Sequence, residues 1–273
     1  MNERSIKPTC DRKTKFWKNQ QNTYGLLPGL EGTCPCATTA PGGCWHISEG
    51  RKLPACYVAH TCNCYGGVKT VLAHNTKLLM GASYWGKIEL LDAEFKRFRE
   101  AEQRHNNATD GDDPQMYYRI HWSGDIFNEE YAKALASAMQ LNSDIHFWGY
   151  TRSFFAVPHL CNLPNFTLYL SLDPVNIVQG LMVFAEHKRY NNNLQFCYMS
   201  PNNEFEAHLG RVNEMLKEEN NLRKAWGYPL KTVVFDTVLR ACPVDAGKLE
   251  LENGCSKCRK CLSKTPDPVW FQS

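Results

Sequence analysis

Cysteine usage is the sequence feature that most restricts what this chain can fold into. The chain has thirteen cysteines in 273 residues, and all but Cys10, Cys161 and Cys197 lie in short clusters. No apolar leader stands between Met1 and Lys18, so we expect a cytoplasmic chain, in which thiols stay reduced and disulfides are rare. Clustered thiols in a reducing compartment are typical of metal sites. The pattern therefore predicts a fold held together by metal rather than by disulfides.

The composition of the chain does not identify a binding partner. Hydrophobic residues make up 43% of the chain, charged residues 22%, and the formal net charge is +3. These values are ordinary for a globular protein, and they neither require nor exclude a nucleic-acid partner. No apolar run approaches the roughly 18 residues of a membrane span, so we expect no membrane partner.

Short apolar runs alternate with helical patterns along most of the chain, and this alternation predicts the fold class. Nearly continuous apolar strands separated by helices indicate an α/β fold with a parallel sheet. We expect a Cys-rich segment over 1–67, an α/β core over 68–240 and a four-cysteine segment over 241–273. The predicted helices are 87–103, 128–140, 175–189 and 203–225, and the predicted strands are 116–122, 145–150, 166–170, 194–199, 232–235 and, as a further candidate, 24–27.

Polar residues follow three of these strands at 123–125, 151–153 and 171–173. In parallel α/β folds the carboxyl ends of the strands form the edge where ligands bind. Asp125 and Asp173 also suit a simple turn or helix cap, so both interpretations stay open. For His121, inside an apolar run, a core histidine is the favoured interpretation over a ligand.

The tail cysteines have the spacing Cys242-x12-Cys255-x2-Cys258-x2-Cys261. Four thiolates at this spacing can close around one metal centre. Zinc sites usually pair two separated CxxC hooks, whereas three cysteines in steps of three with one remote resemble ferredoxin usage. The tail therefore predicts one metal centre, with a [4Fe–4S] cluster favoured and structural zinc left open.

The N-terminal cysteines are less regular. Three thiolates suffice for a [4Fe–4S] centre with one open iron, and many triplets of the six cysteines present can supply them. The usual radical-SAM signature CxxxCxxC does not occur. The candidates are Cys34, Cys36, Cys44, Cys56, Cys62 and Cys64.

Several short motifs together resemble the phage gene-product-88 family of radical-SAM-like proteins. The resemblance covers about residues 30–262, and its motifs are specific in combination rather than singly. They are Thr33-Cys34-Pro35, Gly43-Cys44, Cys56-Tyr57, the strand from Arg119 to Asp125, Tyr150-Thr151-Arg152-Ser153, Ser171-Leu172-Asp173 and the tail cysteines.

The resemblance implies a partial parallel (β/α) barrel of the radical-SAM type and a set of site residues. Cys34, Cys44 and Cys56 would hold the catalytic cluster, and the tail cysteines an auxiliary one. Ser123, Gly124 and Asp125 would take the place of the Gly-Gly-Glu motif that holds the amino group of S-adenosylmethionine (SAM). The other residues implied to face this pocket are Tyr150, Thr151, Arg152, Ser171 and Asp173.

The implied function is a radical-SAM enzyme with two [4Fe–4S] clusters, SAM and an electron donor. It would abstract hydrogen from an unreactive C–H bond in the cytoplasm of a host cell, and the phage context suggests a nucleotide or DNA base as substrate. The alternative is a non-catalytic iron–sulfur or zinc protein that binds nucleic acid or a protein partner. The basic and aromatic residues Lys13, Lys15, Trp17 and Lys18 suit that alternative.

Overall fold

The computed structural model describes the chain with several gaps. The predicted strand at 232–235 and the candidate ligands Cys62 and Cys64 lie outside the described residues. The described residues are 4–50, 52, 54–56, 58–59, 61, 65–109, 114–188, 193–199, 205–227, 240–243, 246–250, 252–262 and 269–271.

Helices and strands alternate from residue 66 onward. The helices are α1 (Gly66–Gly81), α2 (Tyr84–Thr109), α3 (Glu129–Leu141), α4 (Val157–Leu160), α5 (Ile177–Lys188), α6 (Phe205–Ala225) and α7 (Gly254–Cys258). The strands are β1 (Tyr117–Ile120), β2 (His146–Thr151), β3 (Phe166–Leu172), β4 (Leu194–Met199), β5 (Arg240–Ala241) and β6 (Val269–Phe271).

The described strands form one sheet in the order β1-β2-β3-β4-β6-β5, and every adjacent pair is parallel. Strands β1 to β4 match four predicted strands, so the predicted α/β class with a parallel sheet is confirmed. The sequence did not predict β5 and β6, because runs of two and three residues are too short for periodicity to show. Closure of this sheet into a partial barrel stays a prediction, as does the division into three segments.

The candidate strand near 24–27 is an extension along the edge of β1. Thr23 forms a parallel bridge with Arg119, and the backbone N of Arg119 donates to the carbonyl of Asn22 at 2.8 Å. Further along, the backbone N of Leu26 donates to the carbonyl of Ser123 at 2.8 Å. The N-terminal segment therefore runs beside β1 up to the strand end.

Local signals explain two of the helices. The apolar stripe of α2 is buried as predicted, at Ile88, Leu91, Phe95 and Phe98. This helix is longer than predicted, and in its last turns the ring of His105 stacks on that of Trp17, with centroids 4.2 Å apart. Helix α3 begins after Asn128, whose side chain accepts from the backbone N of Tyr131 at 2.8 Å. Among the described helices, none is both long and apolar enough to cross a membrane.

The two faces of the sheet differ in chemistry. One face carries Phe147, Leu168, Leu170 and Phe196, which join the main hydrophobic core with the helices. Register pairs place the alternate residues on the opposite side, which we call the inner face. The inner face is aromatic and polar, and its residues include Arg119, Trp148, Tyr150, Thr167, Tyr169, Ser171 and Cys197.

Candidate functional site

The end of β1 holds the loop that carries Cys34. The hydroxyl of Ser123 donates to the carbonyl of Leu26 at 2.7 Å. The backbone N of Asp125 donates to the hydroxyl of Thr33 at 3.3 Å, and that hydroxyl donates to the carbonyl of Leu27 at 2.9 Å. The residue next to Cys34 is therefore fixed directly to the Ser-Gly-Asp turn.

Glycine is needed at position 124 for two reasons. Its φ is +77°, a left-handed conformation that other residues adopt at a cost. A Cβ atom there would lie 2.4 Å from the Thr33 hydroxyl oxygen and 2.7 Å from the Leu26 Cβ. The turn can approach the cysteine loop only because this side chain is absent.

The Gly124→Ala variant is therefore expected to lose about 3 kcal/mol of unfolding free energy, from backbone strain and steric overlap together. Gly50 is a matched control, since its φ is +79° and nothing lies within 4 Å of its missing Cβ. Gly50→Ala should lose only about 1 kcal/mol. Urea denaturation of the two variants measures the difference, and equal losses would contradict the close approach.

Asp125 ties the end of β1 to the end of β2. Its carboxylate accepts from the Thr151 hydroxyl at 2.6 Å, the backbone N of Arg152 at 2.8 Å and the backbone N of Ile126 at 2.7 Å. Burial raises the pKa of the Asp125 carboxyl, and these hydrogen bonds oppose the rise. Asp125 thus has the turn role that the sequence left open, at a buried position beside the cysteine loop.

Arg152 and Asp173 form a buried ion pair at the ends of β2 and β3. The Nη2 atom of Arg152 donates to Oδ2 of Asp173, and the two side chains are 9% and 3% exposed. The other carboxylate oxygen of Asp173 accepts from the backbone N of Val175 at 2.9 Å and of Asn176 at 3.1 Å. Asp173 therefore shapes the turn before α5 and also holds the guanidinium.

The guanidinium of Arg152 keeps unused donors. Within the described part of the chain, its Nε and Nη1 atoms are buried and have no hydrogen-bond partner. A buried N–H without an acceptor is costly, and a carboxylate or phosphate is the acceptor that best matches a guanidinium. The strand-end edge is therefore suited to an anionic group.

Cys34, Cys44 and Cys56 gather at this edge. Burial first, and then the Asp125 carboxylate, raises the pKa of the Cys34 thiol, and Cys56 and Cys44 raise it further. Burial also raises the pKa of the Cys44 thiol, whereas the positive charge of Arg152 lowers it. The three thiols thus lie within electrostatic reach of one another, and Cys44 lies within reach of the Arg152–Asp173 ion pair.

Cys36 belongs to the same neighbourhood. Burial and the Asp125 carboxylate raise the pKa of its thiol, while the Ser153 hydroxyl and Arg152 lower it. Cys36 is therefore a fourth thiol at the same edge. Which three of the candidate cysteines bind the first cluster stays a prediction.

The four tail cysteines gather at a second place. Helix α7 lies between left-handed residues, Asn253 at φ +58° and Arg259 at +52°, and these turns allow Cys255, Cys258 and Cys261 to face one region. Burial, with smaller contributions from Cys242 and Cys258, raises the pKa of Cys261 to about 11. Burial raises the pKa of Cys255 to about 12, with smaller contributions from Cys261 and Cys242.

In neither group are the thiols as close together as the ligands of one metal centre would be. Across the described ranges, no three or more Cys, His, Asp or Glu side chains are arranged as a metal site. The donor chemistry nevertheless fits soft metals, because iron–sulfur clusters and zinc both select thiolates. Four thiols at the tail suit a fully ligated centre, and three thiols beside an unsatisfied guanidinium suit a centre with an open position.

The predicted pocket residues make two different sets of contacts. Ser123, Gly124, Asp125, Thr151, Arg152 and Asp173 lie together at the strand ends. The hydroxyl of Tyr150, on the inner face of β2, instead donates to the Cys261 sulfur at 3.2 Å. Ser171 also lies on the inner face, where it hydrogen-bonds to the Cys197 thiol.

The sequence assigned no site role to Thr33, which appears only within a motif, and none to Tyr169. Thr33 links the cysteine loop to the Ser-Gly-Asp turn, and Tyr169 hydrogen-bonds to Cys261 from the inner face. Tyr169 could have been predicted, because it lies two residues before Ser171 on β3 and therefore on the same face of the sheet. Cys197, which stands outside the cysteine clusters of the sequence, is buried and lies within electrostatic reach of Cys261 and Arg152.

His121 lies in the core, in agreement with the favoured interpretation. It is 4% exposed, and its Nε2 atom lies 2.7 Å from the Tyr131 hydroxyl oxygen. Burial lowers the pKa of His121 to about 3. The histidine is therefore neutral in the folded protein at neutral pH.

This buried histidine predicts acid sensitivity. In the unfolded chain a histidine has a pKa of about 6.5, so between about pH 6.5 and 3 the unfolded state binds a proton that the folded state does not. Stability is therefore lost as the pH falls through that window, by about 1.4 kcal/mol per pH unit at most. His121→Asn, which tolerates the φ of +52°, should make the slope of unfolding free energy shallower between pH 6 and 4. An unchanged slope in urea titrations at several pH values would contradict this assignment.

Fold and site together define an α/β protein with a parallel sheet and two gathered groups of thiols, one at the strand ends and one at the tail. The chain belongs to the Gene product 88 family, whose model matches residues 2–264. It is similar to the Gene 88 protein of Mycobacterium phage L5 and to that of Mycobacterium phage D29, with 32% identity over 173 residues in each case.

These two matches cover 62% of this chain, but less than two thirds of the relatives' own length, 64% for L5 and 63% for D29. No solved structure matches the chain.

Proposed function

We propose that this protein is a radical-SAM-type enzyme with two [4Fe–4S] clusters. Cys34, Cys44 and Cys56 would hold the catalytic cluster, and Cys242, Cys255, Cys258 and Cys261 the auxiliary one. The observation that carries the proposal is the separation of the thiols into two groups, of which the first lies beside the unsatisfied guanidinium of Arg152 at the ligand-binding edge of a parallel sheet.

The residues at the strand ends have distinct roles in this proposal. When bound, the cluster and SAM would supply a 5′-deoxyadenosyl radical that abstracts hydrogen from an unreactive C–H bond. Arg152 would bind the SAM carboxylate through its free Nε and Nη1 donors, while Asp173 holds the guanidinium in place. Asp125 would accept from the SAM amino group, and Ser123 and Thr151 would fix the turn and the carboxylate.

The substrate class proposed is a nucleotide or a DNA base. Its support is the phage origin of the relatives. An electron donor from the host would have to reduce the clusters.

The test is anaerobic purification of the full chain after cluster loading, with iron, sulfide and zinc counted per chain. We expect about eight irons, as two [4Fe–4S] clusters require. We also expect formation of 5′-deoxyadenosine from SAM that depends on a strong reductant. A protein that holds a full set of clusters but neither binds nor cleaves SAM would overturn the enzyme proposal.

A non-catalytic iron–sulfur or zinc protein is the alternative that the same measurement addresses, since stoichiometric zinc at the tail would favour it. The basic and aromatic N-terminal residues give it little support. The indole Nε1 of Trp17 donates to a Glu102 carboxylate oxygen at 3.1 Å, and Lys15 forms an ion pair with Glu252 of the tail. Both side chains pack on the protein itself.

A further inference from the structure

Two of the tail cysteines pack against the inner face of the sheet. A second, smaller core there contains Tyr169, Cys197 and Val269, with Tyr150, Cys242, Cys261 and Phe271 packed against it. Cys242 and Cys261 therefore pack on residues of β2, β3, β4 and β6.

Two tyrosine hydroxyls converge on one sulfur of this group. The hydroxyl of Tyr150 donates to Cys261 at 3.2 Å, and the Tyr169 hydroxyl also hydrogen-bonds to the Cys261 thiol. Tyr169 is fully buried, and the two rings are 5.2 Å apart at their centroids. The charged groups that act on the Cys255 thiol are Cys261, Arg119, Asp11 and Cys242, and none of them is a tyrosine.

Aromatic contacts fix the orientation of this pair. The Tyr150 ring packs edge-on against Trp148 and Phe271, at centroid distances of 5.7 and 5.8 Å, and the Arg119 guanidinium lies 5.7 Å from its centroid. Rings held on several sides lose little further freedom when their hydroxyls donate, so the hydrogen bonds are preorganised.

We propose that Tyr150 and Tyr169 are positioning residues for the tail metal centre, which hold Cys261 as a hydrogen-bonded thiolate ligand and thereby set the affinity and reduction potential of that centre. Hydrogen bonds to a ligand sulfur withdraw negative charge from it, so the reduced and more negative state of a cluster is favoured. Partners of this kind are typically worth ten- to a hundred-fold in metal affinity. The inference rests on the tail centre of the proposed function.

The test uses the full chain with Tyr150→Phe, Tyr169→Phe and both together. Phenylalanine keeps the ring and removes only the hydroxyl. The matched control is Tyr84→Phe, which removes a hydroxyl that lies 3.1 Å from that of Ser137, far along the chain from the tail. To isolate the tail signal, each variant is also made in a chain with alanine at Cys34, Cys44 and Cys56.

Three quantities are measured: the midpoint potential of the iron-loaded protein, followed by EPR, the dissociation constant of Co²⁺, and the charge-transfer absorption of bound Co²⁺. We expect the double variant to have a more negative potential, roughly tenfold weaker Co²⁺ binding and a charge-transfer band at longer wavelength, with the single variants between. The Tyr84 control should match the unaltered chain in all three.

The outcomes separate this inference from the proposed function. Metal bound normally, with potential, affinity and spectrum unchanged in the double variant, would overturn the positioning role alone. A tail that binds neither iron nor Co²⁺ in the unaltered chain would overturn the tail centre itself. If the double variant does not fold, the two single variants decide the question by the same readouts.

Discussion

Alanine at Cys34, Cys44 or Cys56, introduced one at a time, is expected to lower the iron content from about eight to about four per chain. The same variants should no longer form 5′-deoxyadenosine from SAM. The reason is that a cluster with an open iron needs all three thiolates, whereas the tail thiols form a separate group. Iron and sulfide analysis of anaerobically loaded protein, with product detection by mass spectrometry, measures both effects.

Two other cysteines serve as controls. Cys161→Ala should keep the full iron content, because this thiol is buried in the main hydrophobic core. Cys36→Ala tests the ligand choice, since Cys36 lies at the same strand-end edge as the proposed three. Unchanged iron in all three alanine variants would reassign the ligands, with Cys36, Cys62 and Cys64 as the next candidates.

Replacement of Arg152 by methionine is expected to lower the unfolding free energy by about 3 kcal/mol, because it leaves the buried Asp173 carboxylate without its cation. The double variant Arg152→Met/Asp173→Asn should recover most of this loss, since the charge is removed together with its partner. Urea denaturation measures both variants against the unaltered chain.

The affinity for SAM distinguishes a role of Arg152 in binding from a purely structural role. Both variants lack the guanidinium, so both should bind SAM about tenfold more weakly or worse, whatever their stability. Equilibrium dialysis with the cluster-loaded protein measures this affinity. If the stable double variant binds SAM as tightly as the unaltered chain, Arg152 is a structural residue and its proposed role in binding is wrong.

Much of the fold could be predicted because its signals are local. The apolar runs of β1 to β4 and the Asn128 cap of α3 need only neighbouring residues to form their pattern. Strand β6 could not be predicted, since its three residues are ordered by pairing with β4, about seventy positions earlier in the chain. Periodicity carries no information on such distant pairing.

The position of the strand-end site could be predicted from the sequence, but the contact between the sheet and the tail cysteines could not. Residues at the ends of parallel strands meet at one edge, and this rule correctly brought Asp125, Arg152 and Asp173 together. It did not predict the contact of Tyr150 with Cys261, because the two residues are 111 positions apart in the chain.

The position of β6 has a consequence for how the protein is made. It lies between β4 and β5, so an inner strand of the sheet comes from residues 269–271, synthesised long after its neighbour at 194–199. A ribosome-bound chain that has not yet released residue 271 exposes the unpaired edge of β4 and leaves the inner face beside it uncovered. Completion of the sheet during translation must therefore wait for the end of this segment, and limited proteolysis of stalled nascent chains should show protection of β4 only after residue 271 has emerged.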